Sequence, residues 1–168
     1  MADTINVYLS VQTYKIIEDN VKQSGPNPLN LDFKDVMDYI TIYAMGTDAN
    51  GEPIATFPID VVVGQQVNFT ILPGFLNAPH LLTFTGFTSG TSNGDLEISF
   101  EAYDPISVTY KGTILQTSPA SFLDFSLQSS FSYLTGNEEI QVINFTVDPV
   151  LRANQEAEKT IQNQVQIA

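Results

Sequence analysis

From Pro53 to Pro149 the sequence breaks into short runs of β-branched and aromatic residues, with turn formers between them at intervals of roughly ten residues. The runs are Val61 to Val63, Val67 to Leu72, Leu81 to Thr85, Asp95 to Tyr103, Ile106 to Tyr110, Phe122 to Leu127 and Ile140 to Val147. Gly64, Pro73-Gly, Gly90 to Gly94, Asp104-Pro, Lys111-Gly, Ser118-Pro and Gly136-Asn separate them. Few folds other than packed sheets accommodate that rhythm. Ahead of it, Ile5, Val7, Leu9 and Val11 alternate along one face of a first strand. The period then changes: Tyr14, Ile17 and Val21 fall three and four apart, which predicts a helix over Thr13 to Lys22. Gly25-Pro26-Asn27-Pro28 ends it and opens a loop to about Asp35, and Val36 to Met45 reads as a second strand. These elements predict a mainly β fold, an antiparallel two-sheet β-sandwich of about nine strands with one short helix near the N-terminus. Residues 1–150 form one domain on this reading, and 151–168 form a C-terminal helix or flexible tail with only Ile161, Val165 and Ile167 to bury.

Composition removes several classes of function. The chain has 168 residues, no cysteine, no tryptophan, one histidine, six Lys+Arg and nineteen Asp+Glu, for a net charge of -13. Without cysteine there is no disulfide, thiolate metal site or thiol nucleophile. Nucleic acid and anionic membrane surfaces are poor partners, because the six cations are scattered and the overall charge is repulsive. Asp3 stands where a secretion signal would carry basic residues, and no apolar run approaches the roughly eighteen residues of a membrane span. The expectation is a soluble chain without a leader.

The candidate sites are sparse. A hydrolytic triad would need His80, and no Gly-x-Ser-x-Gly elbow exists to pair with it, so His80 reads as a loop histidine ahead of a strand. Calcium is the metal that suits the available oxygens, with Asp48, Asn50 and Glu52 as candidate ligands. The EF-hand spacing fails there, since the sixth position is Pro53 and the twelfth Ile59, and Asn50-Gly51 is itself a strong turn signal. Beyond calcium no cofactor is expected. Alternation over Asp95 to Asp104 places Asp95, Glu97 and Glu101 on one strand face, neighbours about 7 Å apart, within the range of about 6.5–9.5 Å used by inverting glycosidases. A solvated strand face has the same appearance. Tyr103 with Tyr110 or Tyr133, beside Glu97 and Glu101, would make a stacking platform with acceptors for a sugar, a ligand-binding alternative to catalysis. Asn68-Phe-Thr and Asn144-Phe-Thr match the glycosylation sequon but fall inside strands, and the longer echo, Asn68 to Pro73 against Asn144 to Pro149, is short enough for coincidence.

Three features make the chain resemble the bacterial inclusion-body protein family of the PixA and AidA type. A strand runs directly into a helix, Ile5-Asn-Val-Tyr-Leu-Ser-Val-Gln-Thr-Tyr-Lys-Ile-Ile17, followed by a Pro/Asn loop. Val63-Gly-Gln-Gln-Val-Asn-Phe69 is similar to the family's Gly-Asp-x-Val/Ile segment, with Gln65 in place of Asp. A late strand closes on Asp-Pro at Phe145-Thr-Val-Asp-Pro149. The resemblance implies a cytoplasmic, non-enzymatic protein that accumulates and packs with copies of itself as a homodimer or larger assembly, with no catalytic residues to carry over. Self-packing at -13 would need screening salt, bound cations or a pH nearer the pI of about 4.1.

Overall fold

The computed structural model describes residues 4–22, 25–46, 59–61, 63–75, 78–88, 92–93, 97–100, 108–116, 122–124, 126–148 and 150–153. The chain opens with β1 (Ile5–Val11), α1 (Thr13–Asn20), β2 (Leu29–Leu31) and α2 (Phe33–Val36), then a 3-10 turn (Met37–Tyr39) into β3 (Ile40–Met45). There follow β4 (Ile59–Val61), β5 (Gln66–Pro73), β6 (Leu81–Thr88), β7 (Ser92–Asn93) and β8 (Glu97–Phe100). The last five are β9 (Thr109–Gln116), β10 (Phe122–Asp124), β11 (Ser126–Leu134), β12 (Ile140–Val147) and β13 (Val150–Ala153).

The protein is mainly β, as its sequence rhythm predicts, but the sheets are mixed where a purely antiparallel arrangement is expected. One sheet has the order β3-β1-β5-β9-β8, a second β2-β12-β11-β6 and a third β4-β13-β10-β7. Each contains a single parallel pair: β1 with β5, β2 with β12 and β4 with β13. A parallel neighbour must come from a distant part of the chain, because a tight hairpin can join only antiparallel strands. The run-and-turn rhythm reports hairpins and is blind to such pairs. Several strands of two to four residues, too short to announce themselves by alternation, add to the nine expected.

Hydrophobic alternation dictates the core. Ile5, Val7, Leu9 and Val11 of β1, Val67, Phe69 and Ile71 of β5, and Tyr110 and Ile114 of β9 are buried from the first sheet. Leu82 and Phe84 of β6, Leu127 and Phe131 of β11, and Ile143, Phe145 and Val147 of β12 join the same cluster from the second. The two sheets meet directly where the Phe84 and Tyr110 rings lie 4.5 Å apart. Each fully buried aliphatic or aromatic side chain in such a layer contributes about 1.5–3 kcal/mol of transfer free energy.

Elsewhere the local readings shift. Helix α1 ends two residues early, and its inward face is Thr13 and Ile16 with Ile17 beside them, while Tyr14 is turned outward. The segment read as a strand from Val36 begins as helix, since Asp32 N donates to Asp35 Oδ2 at 3.0 Å and Asp35 N donates to Asp32 O at 2.9 Å, closing a helical first turn. Lys111-Gly112, read as a turn, lies inside β9, where Gly112 pairs with Val67 on one side and Phe100 on the other. At the C-terminus the backbone stays extended through Ala153 in β13, and residues 154–168 lie outside those described.

The echo noticed in the sequence occupies equivalent places in the two main sheets. Asn68 of β5 pairs in parallel with Asn6 of β1, and Asn144 of β12 pairs in parallel with Asn30 of β2. In both, the amide of the echo strand donates across the pair: Asn68 Nδ2 to Asn6 Oδ1 at 3.4 Å, and Asn144 Nδ2 to Asn30 Oδ1 at 3.1 Å.

Two substitutions test this account. Gly46 closes β3 at φ +124, and a Cβ there would stand 2.9 Å from the Thr4 carbonyl oxygen. Gly46→Ala should destabilise the fold by at least about 1 kcal/mol in denaturant unfolding. Ser129, 1% exposed, buries a hydroxyl oxygen with no hydrogen-bond partner. Ser129→Ala should therefore stabilise by about 0.5–1 kcal/mol, and a loss of that size would show that the hydroxyl is satisfied.

Candidate functional site

The parallel register of β1 and β5 brings their C-terminal ends together, with Val11 opposite Pro73 and Gly74 N donating to Val11 O at 2.7 Å. Helix α1 therefore starts beside the segment that follows β5. There the lone histidine is found, and it is part of the packed interior. His80 is 8% exposed, and its Nδ1 lies 2.6 Å from the hydroxyl of Thr13, itself 1% exposed. With the ring proton on Nε2, that hydroxyl donates to Nδ1. The imidazole is surrounded by rings: Tyr14 at 4.7 Å, Phe131 at 5.7 Å and Tyr133 at 6.1 Å between centroids, with Phe75 leaning on Tyr14 at 6.0 Å.

A hydroxyl against an imidazole is also the opening half of a nucleophile–base pair. Here the hydroxyl is inaccessible, and aromatic rings take the place where a carboxylate would orient the base. Burial alone displaces the histidine's pKa, holding it below its ordinary value. The arrangement ties α1 to β6 and β11.

Tyr133 connects this cluster to an open pocket of about 460 Å3 between the end of α1 and the β11–β12 hairpin. Ile17 of α1 with Val21 and Lys22 just past its end form one wall, Gly25 and Asn27 one rim, and Tyr133, Thr135, Glu139 and Gln141 the hairpin wall. Asn27 holds the rim in place: its Nδ2 donates to Ile140 O at 2.8 Å, and its Oδ1 accepts from Val142 N at 3.0 Å. Gln141, which is buried, donates through Nε2 to Pro26 O at 3.0 Å. The Tyr133 hydroxyl has its pKa raised by desolvation, so it stays protonated well above neutral pH. The hairpin turn is closed by Thr135 N donating to Glu139 O at 2.8 Å and by Glu139 N donating to Thr135 Oγ1 at 3.2 Å. Glu138 takes the left-handed position at φ 62, a place that turn chemistry usually gives to glycine or asparagine.

The sequence-derived sites fare unevenly. Of the three tyrosines considered for a stacking platform, Tyr133 lines this pocket; Tyr110 is instead fully buried against Phe84, where alternation along the unbroken β9 carries it into the core. Glu97 lies on β8, opposite Gln116 of β9, and its side chain is outside the described residues, as are Asp95, Glu101 and Tyr103. The calcium candidates Asp48, Asn50 and Glu52 are likewise outside them, and among the described residues no three histidine or acidic side chains gather as metal ligands. Thr13, Asn27 and Gln141 carry no sequence signal, since each takes its role from a partner more than sixty positions away. The strand-to-helix junction at Val11–Thr13 and the aromatic character of Tyr133 are legible in the sequence.

No family model and no curated protein matches the sequence. Among solved structures, the crystal structure of an inclusion body protein, PixA, from Burkholderia cenocepacia aligns over 92% of this chain and 97% of that one, with a TM-score of 0.63 at 10% identity. The chain thus resembles that inclusion body protein in fold. That likeness in fold covers nearly the whole of both chains. No helix among the described residues is long and apolar enough to cross a membrane.

The buried histidine supplies a test. Below the ordinary histidine pKa of about 6.5 the unfolded chain takes up a proton that the native state resists, so stability must fall as pH drops through that value toward the lower native one. The wild type should lose more stability than His80→Gln between about pH 7 and pH 5 at matched salt, read by denaturant unfolding. Equal losses would show that the native imidazole protonates freely.

Proposed function

We propose that this chain is a non-enzymatic, self-associating bacterial protein with a structural or storage-like role in the cytoplasm, and that copies join through the β3 edge. The observation that carries the reading is the character of that edge. Strand β3 ends the first sheet and has β1 as its one strand neighbour among the described residues. Its sequence, Ile-Thr-Ile-Tyr-Ala-Met, has no charge and no proline, and Tyr43 and Met45 are 52% and 61% exposed. Natural edge strands are usually blunted by lysine, proline or a bulge, and one left flat and apolar invites another strand. Antiparallel pairing of β3 with its own copy satisfies a two-fold axis and closes on itself.

The similarity in fold to an inclusion body protein supports this reading. So does the enclosed Thr13–His80 pair, which presents no accessible nucleophile. Repulsion between bodies of charge -13 opposes association, and salt relieves it over a Debye length of about 8–10 Å.

Sedimentation velocity from pH 5 to 8 at low and moderate salt, with and without calcium, tests the proposal. The wild type should form a dimer or larger defined species favoured by salt, and Tyr43→Asp/Met45→Asp should be monomeric with an unchanged circular dichroism spectrum. A wild type that is monomeric throughout, or a double variant that assembles equally well, would overturn it.

A further inference from the structure

We infer that the pocket between α1 and the β11–β12 hairpin binds a neutral sugar, one pyranose ring or a short chain of them. The inference is independent of how copies of the chain associate. Its volume of about 460 Å3 lies within the range of roughly 300–1,000 Å3 typical of small-ligand sites. The composition of the walls selects the ligand's chemistry. Ile17, Val21 and the ring of Tyr133 form an apolar surface, the complement of the C–H face of a pyranose.

Around that surface stand groups able both to donate and to accept, as a polyol requires. Thr135 and Tyr133 contribute hydroxyls, Asn137 an amide, Lys22 a donor and Glu139 an acceptor. Gln141 adds a further point of attachment. It is more than nine-tenths buried, and its Nε2 is engaged by Pro26 O, Asn27 Oδ1 and Val142 O, which leaves Oε1 as the amide's remaining hydrogen-bonding group.

Charge separates a neutral ligand from an ionic one. Lys22, just past the end of α1, and Glu139 on the hairpin wall do not pair with one another. Among the described residues the lining carries one charge of each sign and sums to zero, while the protein as a whole carries -13. An anion gains nothing from the pocket beyond one lysine and is repelled by the protein's field; a cation is drawn by that field but finds in the pocket one glutamate offset by that lysine. A neutral ligand with many hydroxyls uses both groups as hydrogen-bonding partners, and charge-assisted hydrogen bonds are the stronger kind.

Saturation-transfer NMR and calorimetry on the full chain would decide the matter, using glucose, galactose, mannose, N-acetylglucosamine and their common disaccharides, with leucine as a zwitterionic control. At least one sugar should bind saturably, with a Kd on the order of 1 mM, as suits a small open site. Tyr133→Phe and Glu139→Gln should each weaken that sugar at least fivefold, or about 1 kcal/mol, while the melting temperature stays within a degree or so of wild type. Absence of saturable binding across the panel, binding of leucine alone, or sugar binding that neither substitution weakens would overturn the inference.

Discussion

The parallel pairing of β1 with β5 is the constraint on which the rest of the molecule depends. Four of the seven residues of β1 are wholly buried and the other three share the opposite face, so a slip of one position would exchange core for solvent along the whole strand. With Ile5 set against Val67 and Val11 against Pro73, both strands end at the same side of the sheet. The chain must then travel back before β5 can run in the same direction, and α1, β2, α2, β3 and β4 lie in that crossover. One result is that α1 and the segment after β5 share a corner, where Thr13 meets His80 and Tyr14 meets Phe75. The aromatic cluster and the pocket beside it follow from a strand register set by hydrophobic alternation.

The second main sheet repeats the device. In each, a strand carrying an asparagine lies parallel to an Asn-Phe-Thr strand, the asparagines opposite one another, and an antiparallel strand follows on the far side. The chain order differs, because β5 precedes its antiparallel neighbour β9 whereas β12 follows β11. A simple tandem copy would preserve that order. The shared element is local: a side-chain amide on the outer face bridges to the strand alongside, while the phenylalanine one residue later enters the core from the inner face, at Phe69 and Phe145. Asn68 Oδ1 nevertheless remains buried without a partner in the first sheet, so the two bridges are not energetically equal.

What was legible in the sequence, and what was not, follows from the range of the interactions concerned. The core face of β1 and the switch to helix at Thr13 depend on neighbours two to four positions away, and periodicity reports them. Strand β11 is hard to read because Ser129 takes the core-facing position between Leu127 and Phe131, although two antiparallel neighbours hold the strand in place. Tyr110 lies in a strand, as its run predicts, but it is buried where a stacking platform needs it exposed. Lys111-Gly112 reads as a break in isolation, and β5 and β8, pairing on either side, override it and keep Tyr110 facing inward. For the site, aromatic character marked Tyr133 as a candidate, while Gln141 and Asn27 depend on contacts across more than a hundred positions that no local pattern encodes.

The large negative charge and the apolar edge also bear on one another. Asp and Glu outnumber Lys and Arg by thirteen, and of the six cations Lys15 is engaged by Glu18 and Asp19 on its own helix while Lys34 lies beside Asp32. Random contact between two such surfaces is repulsive and strengthens as salt is removed. The uncharged backbone ladder of β3 is a place where two copies can approach without setting carboxylates directly against each other. In the proposed assembly a high surface charge would act as a filter on association, suppressing disordered aggregation and leaving edge pairing as the contact that screening releases first.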